Sequence, residues 1–215
     1  MLYKLNLIKF REKSIEQNFH KSMKELRKFY GINWIKNTPK IILVKDRKSI
    51  NLLRAQETEP WLVGWANDKA RIVFVLDRNN FEQESSHKYS KERYSALIKH
   101  ELSHLFYYIL SGSTYFPKWL VEGVAIYTSG QNKLKQKPDK LKNFLEFYKK
   151  SGSEVYAESG FVVETLVKNF GKNKLLKLIK SLRNVSNEKQ FNKIFQKIYG
   201  FKMNYQNINM RYLSL

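Results

Sequence analysis

The pentapeptide His-Glu-Leu-Ser-His at residues 100–104 combines residue types and a spacing that can perform hydrolytic chemistry. On a helix, His100 and His104 lie one turn apart on the same face, so both imidazoles can reach one metal ion. Glu101 then lies beside that ion, where it can take a proton from a bound water molecule. A pattern this short also arises by chance, so a metal site requires support from the surrounding sequence.

The next apolar helical pattern along the chain supplies a third ligand. Glu122 lies 18 residues after His104 among apolar side chains, where a carboxylate is costly to bury unless it is paired or bound to a metal. Gly123, the next residue, permits close approach of another backbone. A catalytic zinc ion takes three protein ligands and keeps a fourth position open. We therefore predict one Zn²⁺ per chain, held by His100, His104 and Glu122, with Glu101 as the catalytic base.

This set of groups suits the hydrolysis of peptide bonds. Zn²⁺ binds neutral imidazole and lowers the pKa of bound water to ~7. A neighbouring carboxylate can deprotonate that water and pass the proton to the leaving amine. The ion also polarises the scissile carbonyl and stabilises the negative charge that develops on its oxygen. The predicted function is therefore zinc-dependent cleavage of peptides or proteins, with endopeptidase and aminopeptidase action both open.

The segments HELSH at 100–104 and WLVEGVAIY at 119–127 together resemble the motifs of the gluzincin metallopeptidases, in particular the peptidase MA-like group. The resemblance extends over roughly residues 40–200. Within it, residues 61–76 are similar to the edge strand of that group and its neighbour, and residues 156–182 to the helix pair after the third ligand. The resemblance implies the same three zinc ligands and the same glutamate as base and acid.

The resemblance also implies roles for residues outside the two zinc motifs. The edge strand around Gly64, Trp65 and Ala66 would pair with an extended substrate through backbone hydrogen bonds. Relatives often stabilise the oxyanion with a Tyr or His outside the zinc helices, and Tyr156 is the candidate for that role. The equal alternative is that Tyr156 is a core residue of its helix. Some gluzincins have an Asp where this chain has Ile126, so the group that orients a zinc-bound histidine must come from another position.

Hydrophobic periodicity places these motifs in a chain of strands followed by helices. Strands are predicted at 3–10, 41–46, 61–67 and 71–76. Helices are predicted at 12–30, 47–56, 92–110, 117–129, 138–150, 153–169, 172–183, 187–199 and 203–213. The polar segment 78–92 is predicted as a loop with a solvated His87, although such a loop can also fold over the cleft. His20 is interpreted as a surface residue of the first helix.

This order of elements favours an α+β fold over an alternating α/β fold. We predict one domain over residues 1–215, of the kind that zinc-dependent peptidases form. Its N-terminal lobe, about 1–112, has a small mixed sheet with an edge strand over the zinc-bearing helix. Its C-terminal lobe, about 113–215, is all helical.

Net charge is the unusual property of the composition, because 40 Lys and Arg residues against 19 Asp and Glu residues give +21. Such a charge attracts nucleic acid, anionic lipid or acidic substrates. The lysines are spread through the predicted helices, which favours plain solubility instead. The alternative function is a basic nucleic-acid-associated module, either a peptidase recruited to DNA or a non-catalytic protein. A silent scaffold with a structural zinc is disfavoured because structural sites need no base such as Glu101.

The sequence contains no Cys, which excludes disulfides, thiolate metal sites and a cysteine nucleophile. Lys4, Asn6 and Lys9 interrupt the apolar residues near the start, so no signal-peptide core forms. No apolar run approaches the ~20 residues that a membrane helix needs. We therefore expect a cytoplasmic protein without a transmembrane segment, and the sequence leaves its oligomeric state open.

Overall fold

The computed structural model describes residues 8–9, 11–150, 152 and 154–214. Within these residues the strands lie on the N-terminal side and most helices on the C-terminal side, which confirms the predicted α+β fold. The strands are β1 (Lys40–Val44), β2 (Gly64–Asn67) and β3 (Ile72–Leu76). The helices are α1 (Lys13–Tyr30), α2 (Arg47–Arg54), α3 (Lys91–Ser111), α4 (Lys118–Ser129), α5 (Val155–Phe170), α6 (Lys172–Lys180), α7 (Glu188–Tyr199) and α8 (Tyr205–Tyr212). None of these helices combines the length and the apolar character needed to span a bilayer.

The three strands form a mixed sheet in the order β1-β3-β2. β1 and β3 run parallel, whereas β2 and β3 form the predicted antiparallel hairpin, with Gly64 opposite Val75 and Asn67 opposite Ile72. The Asn67 side chain accepts a hydrogen bond from the backbone N–H of Ala70 at 2.9 Å, which closes the turn between the strands. In the described part of the chain β2 pairs with β3 alone, so β2 is the predicted edge strand.

Helix α3 is the central element that joins the sheet to the helical part of the molecule. It contacts β2 and β3, and also α1, α4 and α6. A chain of hydroxyl groups links three of these helices, because Tyr30 Oη lies 2.8 Å from Ser103 Oγ, which lies 2.8 Å from Thr128 Oγ1. Buried apolar side chains from α1 to α8 form one contiguous core around α3. These contacts hold the helix that carries the HELSH segment in a fixed position.

Helices α4 and α5 cross at very short distance. A Cβ atom built at Gly123 on α4 would lie 2.5 Å from the carbonyl oxygen of Ser159 on α5. This confirms that Gly123 permits close approach of another backbone. The position of Glu122, the residue before it, is thereby tied to the packing of α4 on α5.

The predicted helix at 138–150 is wrong, because only a 3₁₀ turn at Phe144–Glu146 is helical there. Three N–H groups in the first part of this segment bond to a side chain from another helix instead of to carbonyls of their own segment. The buried Glu158 carboxylate accepts from three consecutive N–H groups, those of Lys142 at 3.0 Å, Asn143 at 2.8 Å and Phe144 at 3.1 Å. Tertiary hydrogen bonds therefore override the local helical pattern.

The other predicted helices and strands have ends within three residues of the predicted bounds, apart from the strand at 3–10. That strand falls outside the described residues except at positions 8 and 9. A second 3₁₀ turn, Gln131–Leu134, follows α4 and has no counterpart in the sequence prediction.

Glu158→Gln is expected to lower the free energy of unfolding by about 2 kcal/mol, because an amide oxygen binds N–H groups less strongly than a carboxylate and the NH₂ group cannot accept from them. Urea unfolding followed by circular dichroism measures the change. Glu146→Gln is the matched control, since Glu146 lies in the same segment and is exposed. Its effect should stay below about 0.5 kcal/mol. Equal unfolding free energies for the two variants would show that Glu158 does not hold the segment.

Candidate metal centre

Helices α3 and α4 bring the three predicted metal ligands together. His100 and His104 lie one turn apart on α3, and their Nε2 atoms are 3.1 Å apart. Glu122 on α4 places its Oε2 atom 3.3 Å from Nε2 of His100 and 3.4 Å from Nε2 of His104. All three side chains are buried, with 3–6% of their surface exposed. We call these three residues the ligand triad.

The spacing within the ligand triad fits a tetrahedral ion. Zn²⁺ binds nitrogen and carboxylate oxygen at about 2.0–2.1 Å, so two ligand atoms of a tetrahedral site lie about 3.3 Å apart. Glu122 Oε2 is buried and has no hydrogen-bond partner among the described residues. Two imidazole nitrogens and a carboxylate oxygen repel one another at these distances unless a proton or a metal cation lies between them. The ligand triad could therefore hold a metal ion.

Two further side chains orient the ligand triad. Lys118, one turn before Glu122 on α4, places Nζ 2.6 Å from Glu122 Oε1, which turns Oε2 towards the histidines. Gln131 Oε1 lies 3.0 Å from His100 Nδ1. Because an amide oxygen only accepts, His100 donates through Nδ1–H and keeps the lone pair on Nε2 that a metal requires. Gln131 thus makes the orienting contact that the apolar Ile126 cannot make.

The two buried glutamates of the site have opposite electrostatic environments. Burial opposes ionisation of Glu122, but the positive charges of a protonated His104 ring and of the Lys118 ammonium outweigh it and hold the pKa of the Glu122 carboxyl well below its usual range. Burial raises the pKa of Glu101 to about 7, an effect that His100 partly offsets. A carboxyl with a pKa near neutrality can both accept and donate a proton there. Glu122 is therefore suited to bind a metal ion as a carboxylate, and Glu101 is suited to carry a proton.

A cavity of about 290 Å³ opens beside His100 and Glu101. Its other walls come from the segment that leads into β2, the loop before α3, the turn after α4, and α5. The apolar lining includes Trp61, Phe81 and Leu97. This volume is close to the lower limit of about 300 Å³ for small-molecule pockets. The site therefore has room for one or two substrate residues next to the ligand triad.

The edge strand β2 passes directly over the predicted base. A Cβ atom at Gly64 would lie 3.2 Å from Cγ and 3.3 Å from Oε1 of Glu101. Successive side chains of a strand alternate between faces, so Ala66 faces the same side as Gly64 and Trp65 the other. Trp65 stacks on Phe74, with 4.6 Å between ring centroids. Gly64 thus lies beside Glu101, Trp65 faces away from it, and a role of Gly64, Trp65 and Ala66 in substrate binding stays a prediction.

Tyr156, the predicted oxyanion stabiliser, lies on α5 in the cavity wall. Its ring centroid is 6.3 Å from that of His100 and 5.9 Å from that of Trp61. The side chain is half-buried and lines the cavity, so Tyr156 is not a fully buried core residue. Its catalytic role stays a prediction. The loop with His87 folds over the same cavity, and His87 Nε2 lies 2.9 Å from the carbonyl oxygen of Trp61.

Sequence reasoning misses three residues of the site, which are Lys118, Gln131 and Lys135. Lys118 is detectable in principle, because it lies four residues before Glu122 in one helical pattern, where opposite charges pair. Gln131 and Lys135 lie in and just after the 3₁₀ turn that follows α4. No pattern in the sequence places that turn against α3.

The ligand triad, Glu101 and the cavity meet at the junction of the edge strand with the helical part of the molecule. Comparisons of the chain with protein-family models, with curated proteins and with solved structures find no match. The function is therefore inferred from the residues and geometry of this centre.

Proposed function

We propose that this protein is a zinc-dependent metallopeptidase of the gluzincin type that acts on peptides or proteins. The observation that carries the proposal is the buried ligand triad with Glu101 beside it, at the wall of an open cavity. Spacings of 3.1–3.4 Å between the donor atoms suit tetrahedral zinc. Two imidazoles and one carboxylate also form a ligand set that catalytic zinc sites use, with a fourth position left open.

When bound, Zn²⁺ supplies Lewis-acid chemistry, because it acidifies water and polarises a peptide carbonyl. His100, His104 and Glu122 hold the ion in this proposal, and Gln131 fixes the imidazole of His100. Glu101 accepts a proton from the attacking water and delivers it to the leaving amine nitrogen. The low exposure of Glu101, 5%, keeps bulk water from competing for that proton.

The peptide substrate binds in extended form along β2 in this proposal. The open edge of β2 offers backbone N–H and C=O groups that a substrate strand can pair with. Gly64 lets that strand approach Glu101 closely, since it has no side chain to separate them. Tyr156 stabilises the oxyanion from the opposite wall of the cavity.

Endopeptidase action is favoured over aminopeptidase action. An aminopeptidase requires carboxylates that hold the α-ammonium group of its substrate. Among the described residues that line the cavity, Glu101 is the one carboxylate, and Glu57 and Glu59 are not part of the lining. Asp68 accepts hydrogen bonds from the hydroxyls of Ser113 and Tyr115 at 2.9 and 2.8 Å, and it is not part of the lining either.

The second candidate function is association with nucleic acid, which the net charge of +21 favours. It is compatible with peptidase activity, because a peptidase recruited to DNA would use both properties. Binding to duplex or single-stranded DNA that weakens as salt increases would support this candidate. No binding at physiological ionic strength would remove it.

Purified protein is expected to contain about one zinc ion per chain, measured by elemental mass spectrometry. Free zinc at 1,000 times its Kd should stabilise the fold by about 4 kcal/mol, and a chelator should reverse the effect in thermal unfolding. His104→Ala should lose stoichiometric zinc. His20→Ala is the control, since His20 is exposed on α1 and should leave one ion bound. Native protein with no affinity for zinc, or full binding by His104→Ala, would contradict the proposal.

A further inference from the structure

Lys135 is a cation in the cavity wall that lies just after the 3₁₀ turn Gln131–Leu134. Its side chain is half-buried. Its Nζ donates to the carbonyl oxygen of Tyr156 at 2.5 Å and lies 5.9 Å from the centroid of the Tyr156 ring. None of the described carboxylates forms an ion pair with it. Lys135 therefore has one neutral hydrogen-bond partner and no ion-pair partner among the described residues.

The two lysines of the site, Lys118 and Lys135, differ in their partners. Lys118 lies 2.6 Å from the Glu122 carboxylate, which compensates its charge. Lys135 has only a carbonyl oxygen, so two of its three N–H groups remain available to a ligand. Burial lowers the pKa of Lys135 to about 8, with Glu122 acting against this shift, so the amine is still mostly protonated at neutral pH. A half-buried charge without a counter-ion is costly, and an anionic ligand would remove that cost.

The remaining lining of the cavity also favours an anion. Lys88 and Arg93 lie at its exposed rim, so they add positive potential without filling the interior. Glu101 is the only acidic residue in the described lining. The walls between these charges are apolar and aromatic. Such a cavity suits a group with an apolar stem and a carboxylate end.

We propose, on the basis of the peptidase function above, that Lys135 binds a substrate carboxylate and so makes the enzyme selective for acidic peptides. The carboxylate belongs to an Asp or Glu side chain, or to the free C-terminus, within one or two residues of the scissile bond. It occupies the cavity and accepts charge-assisted hydrogen bonds from Nζ of Lys135. Lys135 is thus a specificity-determining residue, with no part in proton transfer.

The test measures cleavage of a peptide library by wild-type protein loaded with zinc. Each peptide carries a fluorophore on one side of the cleaved region and a quencher on the other. Four matched libraries separate the sources of the carboxylate. One contains Asp and Glu, one has Asn and Gln in their place, and each is made with a free C-terminal acid and with an amide. We expect kcat/KM to be about tenfold or more higher for libraries with the preferred carboxylate, in line with one charge-assisted hydrogen bond.

Variants of Lys135 assign the preference to that residue. Lys135→Met should lose the acidic preference, so that the ratio of kcat/KM for the acidic library to kcat/KM for the neutral library falls to about one. Lys135→Glu should reverse the preference towards peptides that carry Lys or Arg. Lys137→Met is the matched control, because Lys137 is exposed and its Nζ lies over the ring of Tyr212 at 4.9 Å, outside this cavity. It should keep the full preference.

A binding measurement separates this inference from the peptidase proposal. Fluorescence anisotropy with Glu101→Gln should show at least about tenfold tighter binding of a Glu-containing peptide than of its Gln counterpart. Cleavage of acidic and neutral libraries at equal rates would overturn the inference and leave the peptidase function intact. Absence of any cleavage would overturn the peptidase function. Equal binding of the two peptides would then overturn the Lys135 inference as well.

Discussion

Glu101→Gln is expected to reduce peptide cleavage about a thousandfold while leaving the fold and the zinc content unchanged. Loss of a positioned general base typically costs a factor of 10²–10⁴ in rate. Glutamine has nearly the same shape as glutamate, so it keeps the packing of the buried side chain beneath Gly64. It cannot accept and release a proton at neutral pH, and the ligand triad does not include it.

The measurement combines activity on a fluorogenic peptide with elemental analysis and thermal unfolding of the same sample. Glu92→Gln is the matched control, because Glu92 is an exposed residue in the first turn of the same helix. It should retain wild-type activity within a factor of two to three, since it lies well before the HELSH segment. Full activity of Glu101→Gln, with zinc bound, would mean that another group acts as the base.

The part of this site that the sequence predicts is the part encoded by helical spacing. His100 and His104 are four residues apart, so their convergence follows from helix geometry alone. Glu122 is predicted from a different property, because a carboxylate is costly to bury in an apolar helix unless an ion or a charged group pairs with it. The structure brings all three within 3.4 Å. Local spacing and the cost of buried charge are therefore sufficient to predict which three side chains converge.

Local sequence patterns do not predict the residues that tertiary packing brings to the site. Gln131 and Lys135 depend on how the chain turns after α4, and that turn is set by contacts with α3 and α5. The same limit explains the wrong helix at 138–150. Its periodicity is helical, but three of its N–H groups bind Glu158, which lies far enough along the chain that no local pattern links the two.

Gly123→Ala is expected to destabilise the protein by about 2 kcal/mol and to weaken zinc binding about tenfold. In an ordinary helix the same change is favourable by about 1 kcal/mol, because alanine restricts the unfolded chain and suits the helix better than glycine. Here the added Cβ would lie 2.5 Å from the carbonyl oxygen of Ser159. Backbone atoms cannot turn aside as a side chain can, so α4 and α5 must separate, and overpacking of this kind costs about 1–3 kcal/mol.

The effect on zinc follows from the position of Glu122 next to Gly123. A shift of α4 moves Glu122 Oε2 away from the histidine nitrogens on α3, which the core holds in place. Urea unfolding of the zinc-free protein and a competitive zinc titration measure the two effects separately.

A second variant distinguishes the backbone clash from a side-chain clash. The Cβ atom at Gly123 would also lie 2.9 Å from Cγ2 of Val163. If that contact dominated, Val163→Ala would restore the stability of Gly123→Ala in a double-mutant cycle. We expect little restoration, because the Ser159 oxygen remains in place. Full restoration would locate the clash at Val163, and a stabilising Gly123→Ala would show that α4 and α5 are not in backbone contact at all.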